Sequence, residues 1–377
     1  MNILIAMDSF KGSVTSLEAG AAVRQGIADA GLVAKTTVLP VADGGEGTIE
    51  AFVDQTAGKI RALSVTGPLG KTVSAVYGVI GEQAILEAAE TSGITLVKKA
   101  DLNPWKATSY GLGELIKQLI AAGQRKFIIG LGGSATNDGG VGMLQALGYR
   151  FIQADGTEIG RNICELANIV KVEDHQAVPE LAACQFLIAS DVTNPLSGEQ
   201  GATAIFGPQK GVKPEEVKKI DQLLQHFAII TAEHLQRDAS KMPGAGAAGG
   251  LGFAIMAYLK GEVQPGFQLL AEKKRLAEKV KRADLVITGE GRLDAQSVMG
   301  KVPSALAQLA QKEQKPIIAI AGSVSNDVGQ CNEYGIDAFF PIIRQLASEE
   351  ETLSRETTIE SIRQTAEQLF RFYKKIQ

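Results

Sequence analysis

The chain is poor in the residues that most often mark a reactive centre. It has 3 cysteines in 377 residues. Cys164, Cys184 and Cys331 lie far apart with no CxxC spacing, which gives no zinc site and fits a reducing compartment. None of the 3 histidines, His175, His226 and His234, sits in a glycine-rich or acidic cluster, so catalysis through imidazole is disfavoured. No apolar run approaches the ~20 residues that span a bilayer, and the opening NILIAMD passes straight into a polar turn. Neither a membrane segment nor a signal peptide is read, and cytosol is the expected address. Lysines and arginines are spread along the chain, with net charge -4 and a pI of about 5.6, so the basic stripe of a nucleic-acid binder is missing. No helix-turn-helix or export signal suggests a metabolite-binding regulator. An anionic small substrate would have to be held by a local pocket.

What is present fits a globular protein: 45% of residues are apolar and 21% charged. The length exceeds the ~250–300 residues at which one core usually stops growing, so two domains are expected. Residues 2–8 read as a buried strand followed by a helix over 16–30, and 36–41 followed by 49–56 repeats the pattern. Between 61 and 96 short β-rich runs joined by GPLGK and GE turns predict antiparallel hairpins. A helix over 111–122 and strands at 126–130 and 185–190 follow. The last hundred residues return to the first texture, with a helix through AEKKRLAEKVKR, strands at 283–289, 316–322 and 337–342, and a closing helix near 359–373. The reading is therefore α/β throughout. A discontinuous Rossmann-like domain, 1–62 with 262–377, has a parallel sheet and flanking helices, and a mixed α/β domain with antiparallel hairpins, 63–261, is inserted into it.

The 42 glycines concentrate in loops: 44–47, 130–134, 139–142, 244–252 and 289–291. Each lies beside an acidic or hydroxyl residue. Glycine lets backbone N–H groups approach an anion, and a following helix adds its positive end, so these loops read as phosphate cradles. None matches the GxxxxGK(S/T) P-loop, and GAGAAGG lacks the clear preceding strand of a dinucleotide fingerprint. Carboxylates fall at the ends of apolar strands: Asp8, Asp43 with Glu46, Asp191, and Glu290 followed by Asp294. Phosphoryl transfer needs such groups to orient the acceptor hydroxyl and to supply oxygen ligands for Mg²⁺. Lys11, Lys210, Arg292 and Lys301 are the cations nearest these loops. Asn137, Asp138, Asn194, Ser134 and Thr136 add short polar side chains.

DSFKGS (8–13), PVADGGEGT (40–48), GLGGSATNDGGVGM (130–143), ASDVTNPLSGEQGATAIFGPQKG (189–211), PGAGAAGGLG (243–252) and ITGEGRLDAQSVMGKVP (287–303) together resemble the bacterial glycerate kinases of the 2-kinase type. The likeness runs in order along nearly the whole chain. It implies transfer of a phosphoryl group from ATP, with Mg²⁺, to D-glycerate, and an active site in the cleft between two α/β domains. The 2-phosphate product rests on the resemblance alone; a 3-phosphate product or another hydroxy acid stays open, as does a homo-oligomer.

The chemistry of the loops suggests the roles. ATP phosphates are expected against backbone at Gly44, Gly45, Gly132, Gly133, Gly246, Gly249 and Gly289 with Glu290, which loop takes which ligand being open. Asp191, Lys11 and Asp8 are the expected catalytic residues, and Asp43 and Asp191 the expected metal ligands. Asn194, Lys210, Arg292, Ser134 and Asp138 are expected to bind substrate.

Overall fold

The computed structural model describes residues 1–294, 301–345 and 348–376, so residues 295–300 of the last quoted block lie outside it. Among the described residues the strands run β1 Asn2–Met7, β2 Lys35–Val38, β3 Lys59–Thr66, β4 Thr72–Ile80 and β5 Gln83–Glu87. There follow β6 Lys126–Gly130, β7 Arg150–Gln153, β8 Ile169–Glu173, β9 Gln185–Ala189 and β10 Glu262–Gln264. The last are β11 Leu285–Gly289, β12 Arg292–Leu293, β13 Ile317–Ala321, β14 Ser323–Val324 and β15 Ala338–Pro341.

The chain forms two compact units. Unit 1 takes residues 1–43, 50–54 and 267–377, and unit 2 takes 44–49 and 55–266. Strand β3 belongs wholly to unit 2 and runs across the boundary expected at residues 62 and 63.

Unit 1 is built on a five-stranded sheet of order β15-β13-β11-β1-β2, parallel at every pairing. β1 and β11 are buried almost end to end, which is why they read as continuous apolar runs instead of alternating ones. The helix Ser16–Asp29 starts at a reciprocal cap: the Thr15 hydroxyl accepts the Glu18 N–H while the Glu18 carboxylate accepts that of Thr15. It lies beside the long final helix Arg355–Ile376, tied by Arg363 to Asp29 at 2.6 Å. The single helix expected through AEKKRLAEKVKR is two, Gly266–Lys273 and Leu276–Arg282, because Arg275 adopts φ 49° and breaks the ladder.

Unit 2 has a six-stranded sheet of order β10-β9-β6-β5-β4-β3. β3, β4 and β5 form the expected antiparallel hairpins, while β5, β6, β9 and β10 pair in parallel. The strand expected to run through QAILEAAE ends at Glu87, where a short helix, Ala88–Ser92, begins. Its core includes the edge-to-face rings of Phe151 and Phe227, the latter on helix Val217–Leu235. No described helix is long and apolar enough to cross a membrane.

Candidate active site

In unit 1 the chain order reverses between β1 and β11, since β2 follows β1 on one side while β13 and β15 follow β11 on the other. Open parallel sheets bind ligands beyond the carboxyl ends of their strands at such a switch point. The Asp8 N–H donates to the Gly289 carbonyl at 2.8 Å, which places the residues leaving β1 and β11 side by side. The hydroxyl of Ser16 donates to the Met7 carbonyl and accepts the Val41 N–H, fixing the segment that leads to Asp43. A cavity of about 920 Å³ opens here, lined by Asp8, Lys11, Asp43, Glu290, Arg292 and Lys301 among others.

Asp8 is 5% exposed. Burial pushes its pKa well above the usual carboxylate range, and the negative charges of Asp43 and Glu290 push the same way. The Ser9 N–H, bound to Asp8 Oδ1 at 2.7 Å, and the Lys11 ammonium oppose the shift. Lys11 stands exposed on the tight loop closed by Phe10 and Val14. Ser9 lines the same cavity with its hydroxyl buried and unmatched by a partner among the described residues. Arg292 is exposed beside Asp294 at 3.6 Å, and Glu290 is buried. Gly289 is buried inside β11.

No group of three or more His, Cys, Asp or Glu side chains among the described residues is arranged as a metal cage. The mutually repelling Asp8 and Asp43, beside an unsatisfied hydroxyl, still suit a dication that draws on one or two carboxylates and completes its shell with water and phosphate oxygens. Of the two expected ligands, Asp43 belongs to unit 1 and Asp191 to unit 2.

In unit 2 the glycine-rich loops come together at the carboxyl ends of β6 and β9. The Gly132 N–H donates to the Gly44 carbonyl at 3.2 Å, Gly246 to Asn194 at 2.9 Å and Gly139 to Gly249 at 2.9 Å. At Gly44 and Gly249, both with positive φ, an added Cβ would collide with the carbonyl oxygens of Ala189 and Thr136. Gly45 and Gly246 are buried in the same contacts, and Gly133 is the exposed member. Much of the glycine content thus serves backbone packed on backbone.

Lys210 is 2% exposed and donates to the Ser134 hydroxyl at 2.9 Å and the Thr136 carbonyl at 2.7 Å. Burial holds its pKa down at about 7, against the pull of Asp138. Asp138 is fully buried, accepting the N–H and hydroxyl of Ser109 and the N–H groups of Gly140 and Gly142. Both were expected to meet substrate, and in this structure their polar atoms bond to the surrounding loops. Ser134 is bonded to Lys210, the half-buried Asn194 donates to the Gln200 carbonyl, and Asp191 is exposed just beyond β9.

Sequence reasoning missed Glu87. It ends β5, is 4% exposed and accepts the Ile49 N–H at 2.7 Å, with Gly47 as a second backbone donor. Burial pushes it up to about 8, helped by Glu90 and Glu46. The signal was available, since this is another carboxylate at the tip of an apolar strand.

A doubly wound unit with an acidic, lysine-bearing pocket at its switch point, and no P-loop, is the equipment of a small-molecule phosphotransferase. The comparisons with known proteins agree. The model of the glycerate kinase family matches residues 3–374. Glycerate kinase of Haemophilus influenzae is 48% identical over 92% of this chain and 92% of its own. Glycerate 2-kinase of Escherichia coli is 44% identical over 93% of each. The crystal structure of a glycerate kinase 2 candidate from Salmonella typhimurium LT2 covers 100% of this chain and 98% of its own, with a TM-score of 0.84 and 42% identity. The chain belongs to the glycerate kinase family, as its six loop blocks suggested, and is a kinase.

Proposed function

We propose that this kinase transfers the γ-phosphoryl group of ATP to the 2-hydroxyl of D-glycerate, yielding 2-phospho-D-glycerate and ADP. The observation that carries the reading is the switch-point pocket of unit 1, where exposed Lys11 and Arg292 stand beside the buried carboxylate of Asp8. The carboxylates of this pocket suit a phosphate-bound dication, and Lys11 and Arg292 bring positive charge for the polyphosphate itself. The 2-position is supported by the likeness to the Escherichia coli enzyme, whose name specifies it.

Phosphoryl transfer passes through a loose transition state, so the protein acts by positioning and by electrostatics. Lys11 and Arg292 would balance charge on the phosphoryl oxygens, and the buried Ser9 hydroxyl offers them a donor. Asp8 and Asp43 would hold Mg²⁺, which would add further neutralisation of phosphate charge. In unit 2, Asp191 at the tip of β9 would orient the acceptor hydroxyl and take its proton, with Asn194 and Ser134 as polar neighbours in chain and loop. Lys210 and Asp138 act earlier in the chain of cause, by holding the 134–142 loop in shape.

A coupled assay for ADP release, run with ATP and either D- or L-glycerate, tests this. Turnover restricted to the D isomer and dependent on Mg²⁺ is the expected result. Equal rates on both isomers, or no release of ADP, would remove the proposal.

A further inference from the structure

The pocket of unit 1 has two chemically different ends. One is the charged end at the switch point. The other is bounded by the segment after β15 and by the start of the final helix, where the aliphatic Ile343 and Leu353 and the polar Thr357, Ser361 and Gln364 stand among the charged Arg344, Glu356 and Glu360. Residues 357, 361 and 364 are spaced i, i+4, i+7, so one polar stripe of the helix faces the cavity. The neighbouring stripe, Thr358, Ile362, Ala366 and Phe370, is buried. Ile343 and Leu353 line the cavity while remaining 49% and 45% exposed, so two large aliphatic side chains look into open space.

At about 920 Å³ the cavity is near the top of the ~300–1,000 Å³ range of small-molecule sites and far exceeds what a three-carbon acid fills. A ligand matching both ends carries several negative charges at one end and a flat, weakly polar group at the other. We propose that the end formed by Ile343, Leu353, Thr357 and Ser361 is the subsite for the base and ribose of the nucleotide. This rests on the reading that ATP is the donor. The aliphatic side chains cover the faces of the heteroaromatic ring, and the helix stripe gives hydroxyls to the ribose and the ring edge. The polyphosphate then runs toward Lys11 and Arg292.

The test uses the full-length enzyme with Ile343→Asp and Leu353→Asp, exposed positions whose variants should melt as the wild type does. The KM for ATP, and the inhibition constant of adenosine against ATP, should rise by about tenfold or more, the equivalent of losing one well-buried aliphatic contact. Inhibition by inorganic tripolyphosphate and the KM for D-glycerate should stay unchanged. A loss falling on glycerate, or on tripolyphosphate equally with adenosine, overturns the subsite. Calorimetric binding of ADP reads it independently of turnover. Weakened ADP binding in the variants supports it even if the enzyme proves inactive on D-glycerate, and unchanged ADP affinity overturns it even if the enzyme is active.

Discussion

The buried carboxylate of Glu87 accepts the Ile49 backbone N–H at 2.7 Å, so the tip of β5 holds the loop that follows Gly44. The same carboxyl is pushed from 4.5 up to about 8 by burial. The folded protein therefore keeps this proton through a range in which the unfolded chain has lost it. Its stabilising contribution is complete below pH 4.5 and is lost as pH rises toward about 8, by up to ~1.4 kcal/mol per pH unit. Glu87→Gln imitates the protonated acid. Urea unfolding across that window should show a shallower fall of stability with pH in the variant; parallel curves would mean Glu87 is ionised when folded.

Lys210 separates a structural role from a ligand role. Lys210→Met removes its bonds to Ser134 and Thr136, strands a buried carbonyl, and should lower the unfolding free energy by about 1–3 kcal/mol. Saturating D-glycerate should restore most of the turnover per folded molecule. Intact stability with a KM for glycerate raised by orders of magnitude would return Lys210 to the substrate.

Gly249→Ala places a methyl group against the Thr136 carbonyl at a backbone φ of +68°. The strain and the collision should together cost about 2–4 kcal/mol. Calorimetric melting checks it: a wild-type midpoint would show that the loops yield easily.

Asp191 is exposed, so Asp191→Asn should fold and melt as the wild type does. If it orients the acceptor hydroxyl, kcat falls by roughly 10²–10⁴-fold. Near-normal turnover would take the role away from it.

The sheet of unit 1 was legible because its inner strands β1 and β11 are buried almost end to end and end in charged or glycine-rich turns, NILIAM before Asp8 and LVITG before Glu290. The hairpins of unit 2 were legible from GPLGK and GE turns between β-branched runs. Other features depended on three-dimensional packing. The break at Arg275 lies within a run of good helix formers, and nothing local announces its left-handed backbone. Helix Val217–Leu235 carries its buried residues at helical spacing, Ile220, Leu224, Phe227 and Thr231, a pattern present in the sequence but left unread. At the site, strand-tip carboxylates pointed to Asp8 and Glu290, which line one cavity. Lys210 and Asp138 were read as substrate ligands beside glycines, and only the converging backbones show them to be interior. Glycine content alone could not tell a phosphate cradle from close packing, which Gly44 and Gly249 illustrate.

Phosphorus NMR of the product formed from ATP and D-glycerate tests the central claim most directly. The account predicts resonances of ADP and 2-phospho-D-glycerate appearing together. A 3-phosphoglycerate resonance, or ADP formed with inorganic phosphate alone, would contradict it.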